Sequence, residues 1–387
     1  MKIQFLDLGK QPIANGFLTS KQISKEYFFN LKVGFDKETC LVSLIDFVDL
    51  DLMFNDNYAY RSSMSNTMVT HFSKTAKLLK DSFNPDSVLE IGSNDGVFIK
   101  NFPKETTAAV EPCKNFSVLT NNLGYKTHNI FWDNNAAELI KKDSGEKDLI
   151  FSANCMCHIP EIDEAFLAIA NTLSANGVFV FEDPSLSKMI ERISYDQIYD
   201  EHAHIFSVIA LSKVLEKAGL EIFKVESLNV HGGSNRIYAC HKSKRRIDAS
   251  VENAIKYEKE LGLNLLETYN NFAKNVLDSK YLLLRQLNQL KKLGKKIVSY
   301  GATSKSTTVF NYCKIGPDVI DYIVDTTPEK QEKLSPGMHI PIVSPEIGFD
   351  KSVDIAFLGA WNFSKEIRQK EYEFLDRGGK FISHIKI

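Results

Sequence analysis

At 387 residues, with 43% hydrophobic and 25% charged side chains, the chain has the composition of a globular protein and the length of two or three domains. Its 47 basic and 49 acidic residues nearly cancel, to a net charge of -2, so the basic face of a nucleic-acid-binding protein is not expected. The start, MKIQFLDLGKQP, lacks a basic region leading into an apolar run, and no window approaches eighteen uninterrupted apolar residues; a cytoplasmic protein with no signal peptide and no membrane span is expected.

Residues 1–75 mix short apolar runs with turn residues and suggest a small N-terminal domain without a complete core of its own. Residues 76–246 alternate apolar strands with helical patterns, which marks a doubly wound α/β sheet. In SVLEIGSNDG a strand enters a turn, with a helix expected from Val97; TAAVEP, DLIFSAN and GVFVFEDP read as further strands. From 247 the pattern changes to a long helix, with Leu265, Tyr269, Phe272, Val276, Leu283, Leu287 and Leu290 on one face and Gly294 ending it. That face reads as packing between domains, with a coiled coil for a partner as the alternative. KIVSYGATSK, VIDYIVDTTP, DIAFLGAWN and KFISHI then read as four strands of a Rossmann-like C-terminal α/β domain, residues 247–387 including the helix. The basic stretch HKSKRR between the two sheets reads as a solvated loop.

Two stretches have the look of nucleotide sites. In EIGSNDGVF, a strand, a glycine turn and a helix start would present backbone N–H groups to a ligand through Glu90, Gly92, Asn94, Asp95 and Gly96. The spacing is not G-x-G-x-x-G, which weakens a dinucleotide reading, but Glu111 lies about twenty residues on, where an acid can accept from both ribose hydroxyls. Asp133, beside Phe131 and Trp132, could meet an adenine amino group. The set fits S-adenosylmethionine, which needs a ribose acid and an adenine pocket but carries no phosphates. Asn154 and His158, in SANCMCHIP, would line the same edge. Cys155 and Cys157 there, spaced by two, read as strand packing rather than metal ligands. The six cysteines contain no C-x-x-C pair and suggest neither disulfides nor structural zinc. The second stretch, SYGATSKSTTVFNY, is not a P-loop, yet Gly301, Ser304, Lys305 and Ser306 could hold a diphosphate, with Asp325 and His339 on following turns. A turn that merely packs is the alternative. His231, Gly232, Gly233 and Arg236 in HGGSNRIY could complete a sugar pocket, or form a β-turn with a surface arginine.

Between these sites lies YDQIYDEHAHIFS. Methyl transfer to carbon needs a base that removes a proton next to a carbonyl, and histidine titrates in the right range. His202 is the candidate, with a neighbouring carboxylate or tyrosine to orient it. A structural polar cluster and a metal site are the competing readings. Strand-like alternation would put His202 and His204 on one face, but no third ligand is evident.

The blocks NYAYRSS, EIGSNDG, ANCMCHIP, FEDPSL, YDQIYDEH, VHGGSNRIY, YGATSKSTTVFNYC, DTTPEKQEKLSPGMHIPI and AWN stand in the order of the nucleotide-sugar 3-C-methyltransferases of deoxysugar pathways, which the chain resembles over nearly its whole length. The resemblance implies a sugar-side N-terminal domain, a central S-adenosylmethionine domain and a C-terminal domain that holds the nucleotide of a nucleotide-linked sugar. It also implies catalytic roles for Tyr199, Glu201 and the base His202, with Tyr58, or else Tyr60, as a further tyrosine. The activity implied is C-methylation of a ketosugar through an enolate; an O- or N-methyltransferase is the alternative. The family's N-terminal zinc cysteines are missing: the second pair would fall on Asp36 and Thr39, with Cys40 displaced nearby, so no zinc is expected.

Overall fold

The computed structural model describes residues 2–385. The N-terminal segment folds as an antiparallel sheet of β1 (Lys2–Pro12), β2 (Phe28–Asp36) and β3 (Val42–Leu44). The middle of the chain supplies β4 (Val88–Ile91), β5 (Thr107–Val110), β6 (Lys126–His128), β7 (Lys147–Ala153), β8 (Leu173–Pro184), β9 (His204–Ile205), β10 (Leu220–Leu228) and β11 (Ser234–His241). Seven of these form one sheet in the order β10-β11-β8-β7-β4-β5-β6. β4 to β8 run parallel, and β11 pairs antiparallel with both β8 and β10. Successive strands step outward from β4 in opposite directions, so the sheet has a switch point between β4 and β7, where α/β folds bind ligands at the carboxyl ends of strands. Strands such as VLEI and TAAV are buried at every position because helices cover both faces of the sheet. Val88, Phe151 and Val180 pack on the Phe72 and Leu79 side; Leu89, Ile150 and Phe179 pack on the Phe166 and Val214 side.

β9 leaves this sheet and closes the N-terminal one, pairing Ile205 with Val42 and His204 with Ser43. The last sheet is parallel, in the order β14-β13-β12-β15-β16, from β12 (Ile297–Tyr300), β13 (Ile323–Val324), β14 (Ile342–Val343), β15 (Ile355–Leu358) and β16 (Lys380–Ile382). β14 is an addition to the four strands read from sequence; two residues are too few to show a period.

The long helix spans Leu266–Lys292 and buries Tyr269, Phe272, Val276, Leu283 and Leu287. Leu265 lies just before it and is 54% exposed. Tyr269 packs against Phe5 and Phe35 of the N-terminal sheet, with ring centroids 5.0 and 4.6 Å away. One apolar cluster therefore joins Leu6, Val33 and Phe35 to Phe272, Val309 and Ile323. This explains why residues 1–75 carry no complete core: theirs is borrowed from the C-terminal half. The expected helix from Val97 is a correction, since only one 3₁₀ turn, Ile99–Asn101, forms there.

Candidate active site

A cavity of about 230 Å³ opens where β4, β5, β7 and β8 end. Its first wall is the turn after β4. Gly92 has φ 74°, and a Cβ there would come within 2.7 Å of Cys155 Sγ, so only glycine lets the two strand ends meet. Asn94, left-handed at φ 47°, donates its backbone N–H to Glu111 Oε2 at 2.7 Å, while the Cys113 N–H reaches Oε1 at 2.9 Å. Each carboxylate oxygen of Glu111 keeps a further lone pair for a ligand. Glu90 is 3% exposed, and its Oε2 has no hydrogen-bond partner among the described residues. Burial pushes its pKa well above the carboxylate range. An acid with one unpartnered oxygen, a backbone-braced acid and the rings of Phe131 and Trp132 on the cavity wall fit the ammonium, hydroxyl and adenine groups of S-adenosylmethionine. Asn154 and His158 line the wall after β7. Asp95, Gly96 and Asp133 do not line the cavity. Asp95 accepts from the Ser63 N–H at 3.2 Å, and Gly96 packs near the Thr120 methyl. Asp133 caps the helix Asn134–Ser144, accepting from Ala136 N–H at 2.7 Å. Of these three, only Asp133 has its side chain taken up by local structure.

The opposite wall is the segment between the helix Leu186–Arg192 and β9, and all three parts of the chain converge on it. From the N-terminal part, the Ala14 N–H donates to Asp200 Oδ1 at 3.0 Å and Asn15 Nδ2 to Glu201 Oε1 at 2.5 Å. From the C-terminal part, the Thr308 hydroxyl donates to the Ile198 carbonyl at 3.1 Å. The Tyr58 hydroxyl donates to Glu201 Oε2 at 2.9 Å. Tyr60 also borders the cavity but is 37% exposed and has no bond to Glu201, so Tyr58 is the tyrosine joined to the carboxylate. Burial raises the Glu201 pKa against the pull of Asn15 and Tyr58.

His202 is 4% exposed, and both ring nitrogens are engaged. Nδ1 lies 2.6 Å from the Gln197 carbonyl, which can only accept, so the proton sits on Nδ1. Nε2 is then the lone pair, and the Tyr199 hydroxyl donates to it at 2.8 Å. Burial holds the His202 pKa well below the imidazole value, with His158 and Lys305 adding to the effect. The His158 ring stacks at 5.3 Å on His202 and at 5.4 Å on Phe54, and burial lowers its pKa to about 3. His204 does not share this face: its Nε2 meets the Pro160 carbonyl at 3.0 Å in the first pair of β9. The turn between Tyr199 and Ala203 breaks the alternation that would have aligned the two histidines.

Thr303, Ser304 and Lys305, at the start of the helix Ser304–Cys313, close the cavity together with His231 and Lys330. The residues around them are committed elsewhere. Gly301 packs on Ala360, Ser306 bonds Thr303 in a capping box, and Asp325 accepts from the Ala302 and Thr327 N–H groups. His339 meets Glu26 at 2.7 Å. Gly232 and Gly233 pack against Trp361 and Lys188. Arg236 is neither a surface residue nor part of the pocket: it is 5% exposed and bonds Glu182, Glu226 and Thr75 inside the central sheet. The substrate residues expected from sequence thus divide, with His231, Ser304 and Lys305 at the cavity and the others engaged away from it. Asn15 and Lys330 were missed. Lys330 sits in the DTTPEKQEK block and could have been weighed; Asn15 stands 186 residues from Glu201, and nothing local marks it.

Ligand atoms of Cys157, His158 and His202 lie within 4.8 Å of one another. The hydrogen bonds of His202 are those of a base, and a cation could reach Nε2 only by displacing Tyr199. The N-terminal segment does not fit zinc. Residues 1–54 contain one cysteine and no histidine. Asp36 is spent on a turn, accepting from Glu38 and Thr39, and Cys40 Sγ meets Lys213 Nζ at 3.3 Å.

Comparison with known proteins agrees with this architecture. A methyltransferase-domain profile matches residues 60–225, and a C-methyltransferase C-terminal-domain profile matches 229–385. A zinc-binding-domain profile matches 1–54, the segment that here lacks the ligands. C-methyltransferase NovU of Streptomyces niveus is 28% identical across 98% of this chain and 92% of its own length. An S-adenosylmethionine-dependent methyltransferase from Clostridium acetobutylicum ATCC 824 is 16% identical, over 44% of this chain and 91% of its own, with a TM-score of 0.36. Magnesium protoporphyrin IX methyltransferase from Synechocystis PCC 6803, solved with bound S-adenosylmethionine, is 10% identical over 45% of this chain and 79% of its own, with a TM-score of 0.34. These two likenesses are too slight to bear on mechanism. The chain is an S-adenosylmethionine-dependent methyltransferase. Its three matched segments stand in this order, and over nearly its whole length the chain is similar to a C-methyltransferase. No helix among the described residues is long and apolar enough to cross a membrane.

Proposed function

We propose that the protein methylates a carbon next to the ketone of a nucleotide-linked sugar, with His202 as the base. The observation that carries this reading is the tautomer of His202: a buried imidazole locked with its proton on the backbone side and its lone pair on the cavity side. Proton abstraction from carbon needs that arrangement. The Tyr199 hydroxyl holds Nε2 and must yield it to the substrate C–H; once released, it can donate to the enolate oxygen. Glu201, tethered by Asn15, fixes the Tyr58 hydroxyl at the cavity. When bound, S-adenosylmethionine supplies the electrophilic methyl group. Glu90 and Glu111 hold that cofactor at the far wall, so positioning does much of the work.

Lys305 and Lys330 support an anionic substrate. Both line the cavity and neither has a carboxylate within ion-pair distance among the described residues; Lys330 Nζ donates to the Ala302 carbonyl at 2.8 Å and lies over the Phe17 ring. Burial lowers both ammonium pKa values, a penalty that an arriving diphosphate would relieve. Lys330→Met is therefore expected to raise the KM of the nucleotide-linked substrate about 10- to 150-fold, from the 1.5–3 kcal/mol of a charged hydrogen bond, with cofactor affinity unchanged. An unchanged KM would remove the lysine from the phosphate site. The whole reading is tested by incubating nucleotide-linked ketosugars in D₂O with enzyme alone, and then with cofactor. Exchange at the α-carbon and a C–CH₃ product are expected. A methyl group on oxygen or nitrogen would end the proposal.

A further inference from the structure

Asp196 lies in the same segment as His202 but does not border the cavity. Its carboxylate is fully buried, at 0% exposure. Trp361 Nε1 donates to Oδ2 at 2.5 Å, and His384 Nε2 stands 3.1 Å from Oδ1, an ion-pair contact rather than an aligned hydrogen bond. Both partners come from the C-terminal sheet: Trp361 follows β15 in AWN, and His384 follows β16 in ISHI. The His384 ring also packs edge-on against Tyr195 at 5.0 Å, and its backbone carbonyl accepts from the Ser279 hydroxyl of the long helix at 2.9 Å. The peptide from Tyr195 to Gln197 is thus seated on the C-terminal sheet. The carbonyl of Gln197, the residue after Asp196, is the acceptor for His202 Nδ1–H.

A buried carboxylate is a poor way to gain stability, because desolvation offsets most of the attraction. Its placement beside the acceptor peptide suggests a different use. Burial works against ionisation of Asp196, but His384, Lys305 and Trp361 outweigh it and hold the pKa below the ordinary value. The HGG turn belongs to the same arrangement. A Cβ on Gly232 would fall 2.3 Å from Trp361 Cη2, so the tryptophan reaches Asp196 only over a glycine.

We infer that Asp196, Trp361 and His384 are positioning residues through which the C-terminal sheet sets the Gln197 carbonyl and so locks the tautomer of His202. This rests on His202 acting as the base. The cluster touches no reacting atom; it keeps the imidazole from rotating or exchanging its Nδ1 proton, as the orienting partner of a catalytic histidine does.

The test compares Trp361→Phe, which keeps the ring and loses the N–H, with Asp196→Asn, which keeps an acceptor and loses the charge. Cofactor affinity and thermal unfolding establish that each variant is folded. For Trp361→Phe, kcat is expected to fall about 10-fold or more with both KM values within about twofold, as small displacements of a catalytic group do. α-Carbon exchange should fall in parallel, and Asp196→Asn should retain more activity. A low-field imidazole N–H resonance, assigned by its absence in His202→Gln, is expected in the wild type and should be lost to solvent exchange in Trp361→Phe. Persistence of that resonance in Trp361→Phe overturns the inference, whatever happens to kcat. Should Trp361→Phe fail to fold, His384→Asn is compared in the same way. If the wild type shows no α-carbon exchange, the base reading falls, and the resonance still decides whether the cluster orients His202.

Discussion

His202→Gln is expected to lower kcat by about two to four orders of magnitude, the usual contribution of a general base, with the Kd for S-adenosylmethionine unchanged. Glutamine keeps much of the volume and can still donate toward the Gln197 carbonyl, but it has no lone-pair nitrogen for a carbon-bound proton. The pH profile gives an independent reading. A base works when unprotonated, so activity is lost as pH falls through its pKa. Because burial depresses that pKa, the acid limb of kcat/KM should lie below the ordinary imidazole value of about 6.5. α-Carbon exchange in the variant at wild-type rate would move the base to another residue.

Arg236→Met is expected to destabilise the fold by about 3–5 kcal/mol, the cost of leaving a buried ion pair broken. The guanidinium holds Glu182 through Nε at 2.7 Å, Glu226 through one terminal nitrogen at 3.0 Å and the Thr75 hydroxyl through the other at 2.6 Å. Glu182 also meets His71 Nε2 at 2.6 Å, and Tyr238 donates to Glu226 at 2.7 Å. Removing the arginine leaves buried Glu182 with His71 alone and takes one partner from Glu226, which keeps Tyr238 and Lys224, at the junction of the helix Asn66–Phe83 with β8, β10 and β11. Lysine should recover little, since a single ammonium cannot replace a three-armed fork. Chemical denaturation measures the loss. Unaltered stability combined with a raised substrate KM would return Arg236 to the sugar pocket, where the sequence reading had placed it.

The two arginine readings differ for a physical reason. HGGSNRIY has the composition of a turn, and a turn arginine is ordinarily solvated. Here the turn leads straight into β11, whose register sets Arg236 opposite Glu182 of β8 and Glu226 of β10. Cross-strand register depends on partners about 10 and 54 residues away, which local composition does not encode. Asp133 lies off the cavity for the opposite reason, a local one. The same residue that could reach an adenine is also well placed to cap the next helix, and the cap needs no ligand.

Short-range physics determined a good deal from the sequence alone. Runs such as VLEI and LIFS have to be strands buried on both sides, and the repeat from Tyr269 to Leu287 has to lie against a core. Each follows from neighbours a few residues apart, so the α/β class and the packed long helix were legible. Tertiary structure alone decided what surrounds that segment: Asn15 on Glu201, Trp361 and His384 on Asp196, Lys330 at the cavity, and a first sheet that completes its core with the long helix. Those contacts span from about 165 to about 264 residues. They arise from packing three sheets around one loop, and no periodicity or propensity in the chain carries that information.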